Sequence, residues 1–213
     1  VTQKLLSFCS EDLGGFYLDI LKDRLYTCGA DSRARRSAQT ALWHIAQTLV
    51  RLMAPILPFT ADEMWRYMPG TRSESVHLEL FSEADAYASK EILDRWARLL
   101  SVRDTVNAAL EAQRQAKVIG NNLGARVTLT ASGPVAAVLD RHRANLATLF
   151  IVSEIVLTLG STDGADTIDV TVERASGVKC ERCWRFVPSV SEEPSSAGIC
   201  ARCVDAISGS AVA

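Results

Sequence analysis

Apolar side chains recur every three or four residues through most of the first half of the chain, and that spacing predicts helices. Leu13, Phe16, Tyr17, Ile20, Leu21 and Leu25 mark one face of an amphipathic helix. Ala38, Leu42, Ile45, Leu49 and Leu52 then alternate steps of four and three, a seam that packs against neighbouring helices. Pro55 and Pro58 are expected to end that helix, because proline has no N–H donor and restricts the residue before it. Thr60-Ala61-Asp62-Glu63 restarts the chain as a capping box, and Met64, Trp65 and Met68 ride on a short helix stopped by Pro69-Gly70. Residues 71–88 are polar, with Val76, Leu78, Leu80 and Phe81 as anchors, and read as a loop. A long helix follows from about Lys90 to Lys117, carrying Trp96, Leu99, Val102, Val106 and Leu110 and ended by Gly120-Asn121-Asn122.

The period then changes. Arg126–Thr130 alternates polar and apolar like a half-buried strand, and Thr167–Glu173 does so again with Ile168, Val170 and Val172 on one face. Gly133-Pro134 opens a short helix with proline at a favoured first position, and Leu149–Leu159 is apolar and β-branched. Gly160–Asp166 is a polar loop. The predicted fold is mainly α: a helical bundle over 1–120, a small α/β unit over 121–176, a cysteine-bearing module over 177–206 and a flexible tail over 207–213.

At 213 residues and 48% apolar, the chain is long enough for one large or two small domains. The formal net charge of −2 means that any basic surface is a local patch. Arg51 and Glu154 interrupt the longest apolar runs, so none reaches the roughly 18 residues of a membrane span. The N-terminus has no signal-peptide pattern and opens partway into an amphipathic repeat, as expected of a piece of a longer protein. No phosphate-binding glycine loop, H-E-x-x-H or G-x-S-x-G occurs. His44 lies in the seam helix and is expected to pack or cap locally, His77 sits in a loop with no acid–base partner nearby, and Cys9 and Cys28 read as small buried apolar residues. The chain reads as a binding module.

Four of the six cysteines fall in the last 34 residues, as two C-x-x-C pairs separated by sixteen residues. Cys180, Cys183, Cys200 and Cys203 can supply four thiolates tetrahedrally to one structural Zn2+, leaving no open position for catalysis. Lys179, Arg182 and Arg202 would offset the thiolate charge. The opposing reading is disulfides or free thiols, but a large helical chain needs no such staples. A segment this polar does not fold alone, and zinc binding in comparable peptides contributes about 10–16 kcal/mol. Trp184 and Phe186 flank Arg185. The indole is either a small core over the metal loop or an exposed platform for a base, where stacking is worth about 1–3 kcal/mol. Arg182, Arg185 and Arg202 are candidates for holding phosphates. Arg33, Arg35 and Arg36 at the start of the seam helix, with Lys22 and Arg24 on the previous one, are either a solvated face or a second phosphate contact. Arg141-His142-Arg143 reads as a solvated helix end.

The stretches Tyr17–Tyr26 and Arg35–Leu42 resemble the anticodon-binding domain of bacterial isoleucyl-tRNA synthetases. Met53-Ala54-Pro55-Ile56-Leu57-Pro58-Phe59-Thr60-Ala61-Asp62-Glu63-Met64-Trp65 is similar to the most specific motif of that domain. Ser75–Leu78 and the Val106-Asn107, Leu110-Glu111, Arg114, Lys117 pattern follow in the family's order, and Lys179–Trp184 with Cys200–Cys203 resembles its C-terminal zinc peptide. The motif around Pro55 also occurs, with variations, in valyl and leucyl relatives; the zinc tail favours isoleucine. The resemblance implies a monomeric cytoplasmic class I enzyme that joins isoleucine to its tRNA using ATP and edits misattached valine. The family's HIGH and KMSKS signatures are absent, so the resemblance implies a fragment that is inactive alone, with ATP and isoleucine bound elsewhere. What carries over is the grip on the anticodon stem and loop of the isoleucine tRNA, with no membrane or DNA partner. Two other readings stand beside it. One is the C-terminal zinc-finger region of a formamidopyrimidine-type DNA glycosylase, which begins with a catalytic proline where this chain has Val1. The other is a zinc module that docks a protein partner.

Overall fold

The helical spacing produces the helices it predicts, in a computed structural model that describes residues 1–83 and 89–209. α1 spans Thr2–Ser7, and the chain stays helical through a wider π-wound stretch, Phe8–Leu18, into α2, Asp19–Thr27. α3, Arg33–Met53, is capped by the Ser32 hydroxyl, which accepts from the Arg35 amide at 3.2 Å. α4 spans Pro58–Tyr67. Pro58 therefore opens a helix instead of ending one: its missing N–H falls where a helix has no use for it. The expected capping box does not form, because Thr60 and Glu63 already lie inside α4 and no side chain caps its start. The part of the expected 71–88 loop from 84 to 88 lies outside the described residues.

The chain divides into two compact units. The first holds residues 1–25 and 30–83. Val50, Ala54, Ala61, Trp65 and Val76 form a buried core there, with Met53 and Met68 against it. The Trp65 Nε1 donates to the Ser73 carbonyl at 3.0 Å, and the Arg51 and Arg72 guanidinium carbons lie 4.9 and 4.5 Å from its ring centroid. Arg51 pairs with Glu79 at 2.7 Å, while the Ser75 hydroxyl donates to Asp62 at 2.6 Å. Hydrogen bonds from Ser75, and then Arg66, hold the Asp62 carboxyl below its usual range; Ser73 and Arg51 do the same for Glu79. The seam is less covered than its spacing suggests: Ile45, Leu49 and Leu52 line, with Leu5 and Phe8, an apolar groove of about 840 Å³.

The second unit holds residues 26–29 and 89–209. α5, Lys90–Gln115, buries Leu99, Val102, Val106 and Leu110 and packs on β3 and α6. It stops before the expected Gly120. Lys117 turns left-handed at φ 58°, its amide bonds the Arg114 carbonyl, and the Val118 amide bonds the Gln113 carbonyl, both at 3.0 Å. β1, Ala125–Ser132, is central, parallel to β2, Glu154–Leu159, and antiparallel to β3, Thr167–Arg174. Ala125, Val127, Leu129 and Ala131 of β1 are buried, which is the alternation read from the sequence. β2 is shorter than the apolar run that contains it, because that run begins at the end of a short helix, α7, Leu146–Leu149, and the chain then turns through Ile151, left-handed at φ 56°, before the strand starts. α6, Pro134–Arg141, gains a cap that the sequence did not suggest: Asp166 accepts from the Val135 amide at 2.7 Å and pairs with Arg98 at 2.8 Å. His142 tilts against Trp96 with ring centroids 6.1 Å apart, so the Arg141-His142-Arg143 stretch is only partly solvated. The fold is thus mainly α with a small sheet and, at its C-terminal end, a cysteine cluster. No helix among the described residues is long and apolar enough to cross a membrane.

Candidate metal centre and nucleic-acid interface

β4, Val178–Lys179, pairs antiparallel with β5, Phe186–Val187, and Gly177 makes the approach possible. Gly177 has φ 90°, and a Cβ there would fall 2.2 Å from the Val187 carbonyl oxygen. Between the strands the chain turns sharply: the Cys180 amide donates to the Arg185 carbonyl and the Trp184 amide to the Cys180 carbonyl, both at 2.9 Å. Cys180 and Cys183 lie on this turn. Cys200 is the N-cap of α8, Ala201–Ser208, and Cys203 lies in its first turn. The residues beyond 209, which include most of the expected tail, lie outside the described residues.

The two halves meet at their sulfurs. All four cysteines are buried, with Val187, Val190 and Ile199 packed against them. Their Sγ atoms lie within 4.8 Å of one another, and the Cys180–Cys203 and Cys183–Cys200 separations are 3.8 Å. A tetrahedron with zinc–sulfur bonds of about 2.3 Å has edges of about 3.8 Å, whereas a disulfide would bring sulfurs to about 2.0 Å. The geometry fits a four-thiolate metal site and does not fit disulfides. Burial raises the Cys180 thiol, but amide hydrogen bonds from Cys183, Cys200 and Arg182 outweigh it and bring it down to about 6. Burial pushes Cys203 up to about 12 and raises Cys200 as well. A buried group of sulfurs that cannot all ionise alone calls for a cation among them.

The neighbouring candidates separate into two kinds. Trp184 is 61% exposed, so the indole is not a core residue, and the Lys179 ammonium lies 5.8 Å from its ring centroid. Its backbone is left-handed at φ 63°, which non-glycine residues rarely adopt. Arg182 and Arg185 point instead into the protein. Arg182 donates to the Thr27 carbonyl at 2.5 Å and the Tyr26 carbonyl at 3.4 Å, and Arg185 donates to the Val152 carbonyl at 3.1 Å. Their acceptors are main-chain atoms 155 and 33 residues away, which no motif announces. The same holds for Ser153, whose hydroxyl accepts from the Phe186 amide at 2.7 Å and ties β5 to the segment before β2. Arg202 is half-buried on α8. In the first unit, Arg36 is exposed, Arg24 and Arg35 are half-buried, and Lys22 pairs with Asp19 at 2.7 Å.

A family model described as the anticodon-binding domain of tRNA ligase matches residues 1–129. The chain belongs to that family. A second model, a zinc finger found in FPG and IleRS, matches residues 177–206 of this anticodon-binding chain. The chain is 46% identical over 205 residues to the isoleucine–tRNA ligase of Syntrophotalea carbinolica, an alignment covering 93% of the chain and 22% of that relative. It is 46% identical to that of Actinobacillus pleuropneumoniae serotype 5b, covering 98% of the chain and 23% of the relative. The value is 47% for Pseudomonas entomophila, with 99% and 23% covered. The chain thus spans less than a quarter of the length of these relatives. The zinc finger alone is compatible with a DNA glycosylase, but the anticodon-binding match in front of it does not favour that reading.

Proposed function

We propose that this chain is the anticodon stem-loop grip of an isoleucine–tRNA ligase, and that Cys180, Cys183, Cys200 and Cys203 hold one structural Zn2+ within it. The observation that carries the proposal is the order of parts: an anticodon-binding region followed by a four-cysteine knuckle that displays an exposed tryptophan. In function the chain divides into a bundle over 1–120, a junction over 121–176 and the knuckle over 177–206.

Zinc supplies no chemistry to a reaction here; it orders a turn too polar to fold alone. Once ordered, the turn presents Trp184 for stacking by an unpaired base of the loop, with Lys179 beside the ring to meet phosphate. Arg182 and Arg185, first candidates for phosphate, serve this surface by fixing the turn from behind. Arg202 on α8, and Lys22, Arg24, Arg35 and Arg36 in the bundle, supply further positive charge toward the backbone of the stem. Activation of isoleucine with ATP belongs to parts of a longer cytoplasmic, monomeric enzyme, so the isolated chain binds without catalysing.

A filter-binding titration with isoleucine tRNA and with duplex DNA over a salt series tests this function. Saturable, salt-sensitive binding that favours the tRNA is expected. Equal binding of both nucleic acids would overturn it, and binding of neither would turn attention to a protein partner.

A further inference from the structure

The two carbonyls that Arg182 holds belong to the last turn of α2. Helix C-termini leave carbonyl oxygens without intrahelical donors and carry partial negative charge. Arg182 meets both deficits at Tyr26 and Thr27, and Thr27 is a buried residue. The chain then turns at Gly29, where a Cβ would lie 3.7 Å from the Ala206 carbonyl oxygen of α8, so the turn also abuts the helix that carries Cys203. The other end of Arg182 is part of the metal turn. It lies between Cys180 and Cys183, where its amide draws the Cys180 thiol down and its guanidinium opposes the burial that raises Cys203. One residue thus sits between two metal-ligand cysteines and holds a helix end 155 residues away.

We infer that Arg182 pins the Tyr26–Gly29 turn to the metal centre, so that loading zinc and ordering that turn are one coupled equilibrium. The inference rests on the zinc reading above. Without the ion, Cys180 and Cys183 lose their bridge to Cys200 and Cys203, the turn that carries Arg182 is left to its own local hydrogen bonds, and the pin loses its anchor on the metal side. Coupling of this kind is reciprocal: whatever docking the turn gains from zinc, zinc gains in affinity from the docked turn. Arginine suits the role because its planar fork reaches two carbonyls at once through separate nitrogens, which a single ammonium does not.

Hydrogen exchange of the peptide containing Tyr26–Gly29, measured beside zinc stoichiometry and affinity by chelator competition, tests the coupling. In the unmodified chain, Zn2+ should slow exchange in that peptide at least tenfold relative to the EDTA-treated chain. Arg182→Gln keeps all four thiols and should bind one zinc about 10- to 100-fold more weakly. At saturating zinc its 26–29 peptide should exchange as fast as in the metal-free chain. Arg182→Lys keeps the charge beside Cys203, so its zinc affinity should recover toward the unmodified value while the peptide stays fast. If Arg182→Gln does not load, Arg182→Lys carries the comparison. Zinc-loaded variants with fully protected 26–29, or an unmodified chain whose protection ignores zinc, would overturn the coupling alone. Failure of the unmodified chain to bind zinc would overturn the metal reading and the coupling together.

Discussion

Trp184 offers a substitution that separates packing from recognition. Its φ of 63° places a bulky residue in the left-handed region, which costs an L-residue about 1–2 kcal/mol. Glycine removes that strain but adds about 0.5–1 kcal/mol of freedom to the unfolded chain. The net change for Trp184→Gly is thus between zero and about 1.5 kcal/mol in favour of the folded knuckle. Zinc affinity should stay level or rise up to about twelvefold, since 1.4 kcal/mol is a factor of ten. The indole is 61% exposed, so its loss removes little buried surface. In the role proposed for it the indole is a stacking platform worth about 1–3 kcal/mol per base, so its loss should lower tRNA affinity about 5- to 140-fold. Trp184→Ala should lower tRNA affinity equally while leaving the strain in place. Chelator competition reads the first quantity and filter binding the second. Undiminished tRNA binding by Trp184→Gly would refute the stacking role. A collapse of its zinc affinity would refute the claim that the indole is not part of the knuckle's packing.

Other consequences follow from the same contacts. Stripping zinc with EDTA should open residues 177–205 to protease and leave the helices of the first unit intact; unchanged cleavage would contradict the metal's ordering role. Ligation needs thiolates, and burial pushes Cys203 up to about 12, so binding must displace a proton and affinity must fall with acidification. A zinc affinity that is flat between about pH 8 and about pH 6 would contradict this. Trp65→Ala should destabilise the first unit by about 3–5 kcal/mol in denaturant unfolding, since the ring is fully buried and holds the Ser73 carbonyl. A loss below about 1 kcal/mol would show that the core closes around the gap. Gly177→Ala should weaken zinc binding by pushing β4 from β5, and an unchanged affinity would mean that the knuckle does not depend on that pairing.

The sequence was most readable where burial repeats. Leu99, Val102, Val106 and Leu110 announced α5, and Val127 and Leu129 announced β1, because each period puts alternate or successive side chains into one core. The cysteine spacing announced a site whose sulfurs now define tetrahedral edges. Boundaries were less readable, since they depend on which of two weak signals wins. Pro58 outcompeted the Thr60 cap, and a left-handed turn at Lys117 ended α5 ahead of the Gly120 that was expected to end it. The partners of Arg182 and Arg185 were unreadable for a different reason. A basic side chain in sequence carries no sign of the carbonyl it will meet, and both meet main-chain oxygens brought in from elsewhere. The motif from Pro55 to Trp65, read first as a family signature, proves to be structural: it supplies α4 and the Trp65 core.

In the proposed grip, the zinc-ordered turn meets an unpaired base of the anticodon loop. A tRNA anticodon stem-loop carrying a photoactivatable base in the loop, irradiated on the zinc-loaded chain and mapped by peptide mass, tests it most directly. The account predicts a crosslink within residues 179–186 that disappears after zinc removal. Crosslinks confined to residues outside 177–206, or a knuckle crosslink that persists without zinc, would contradict it.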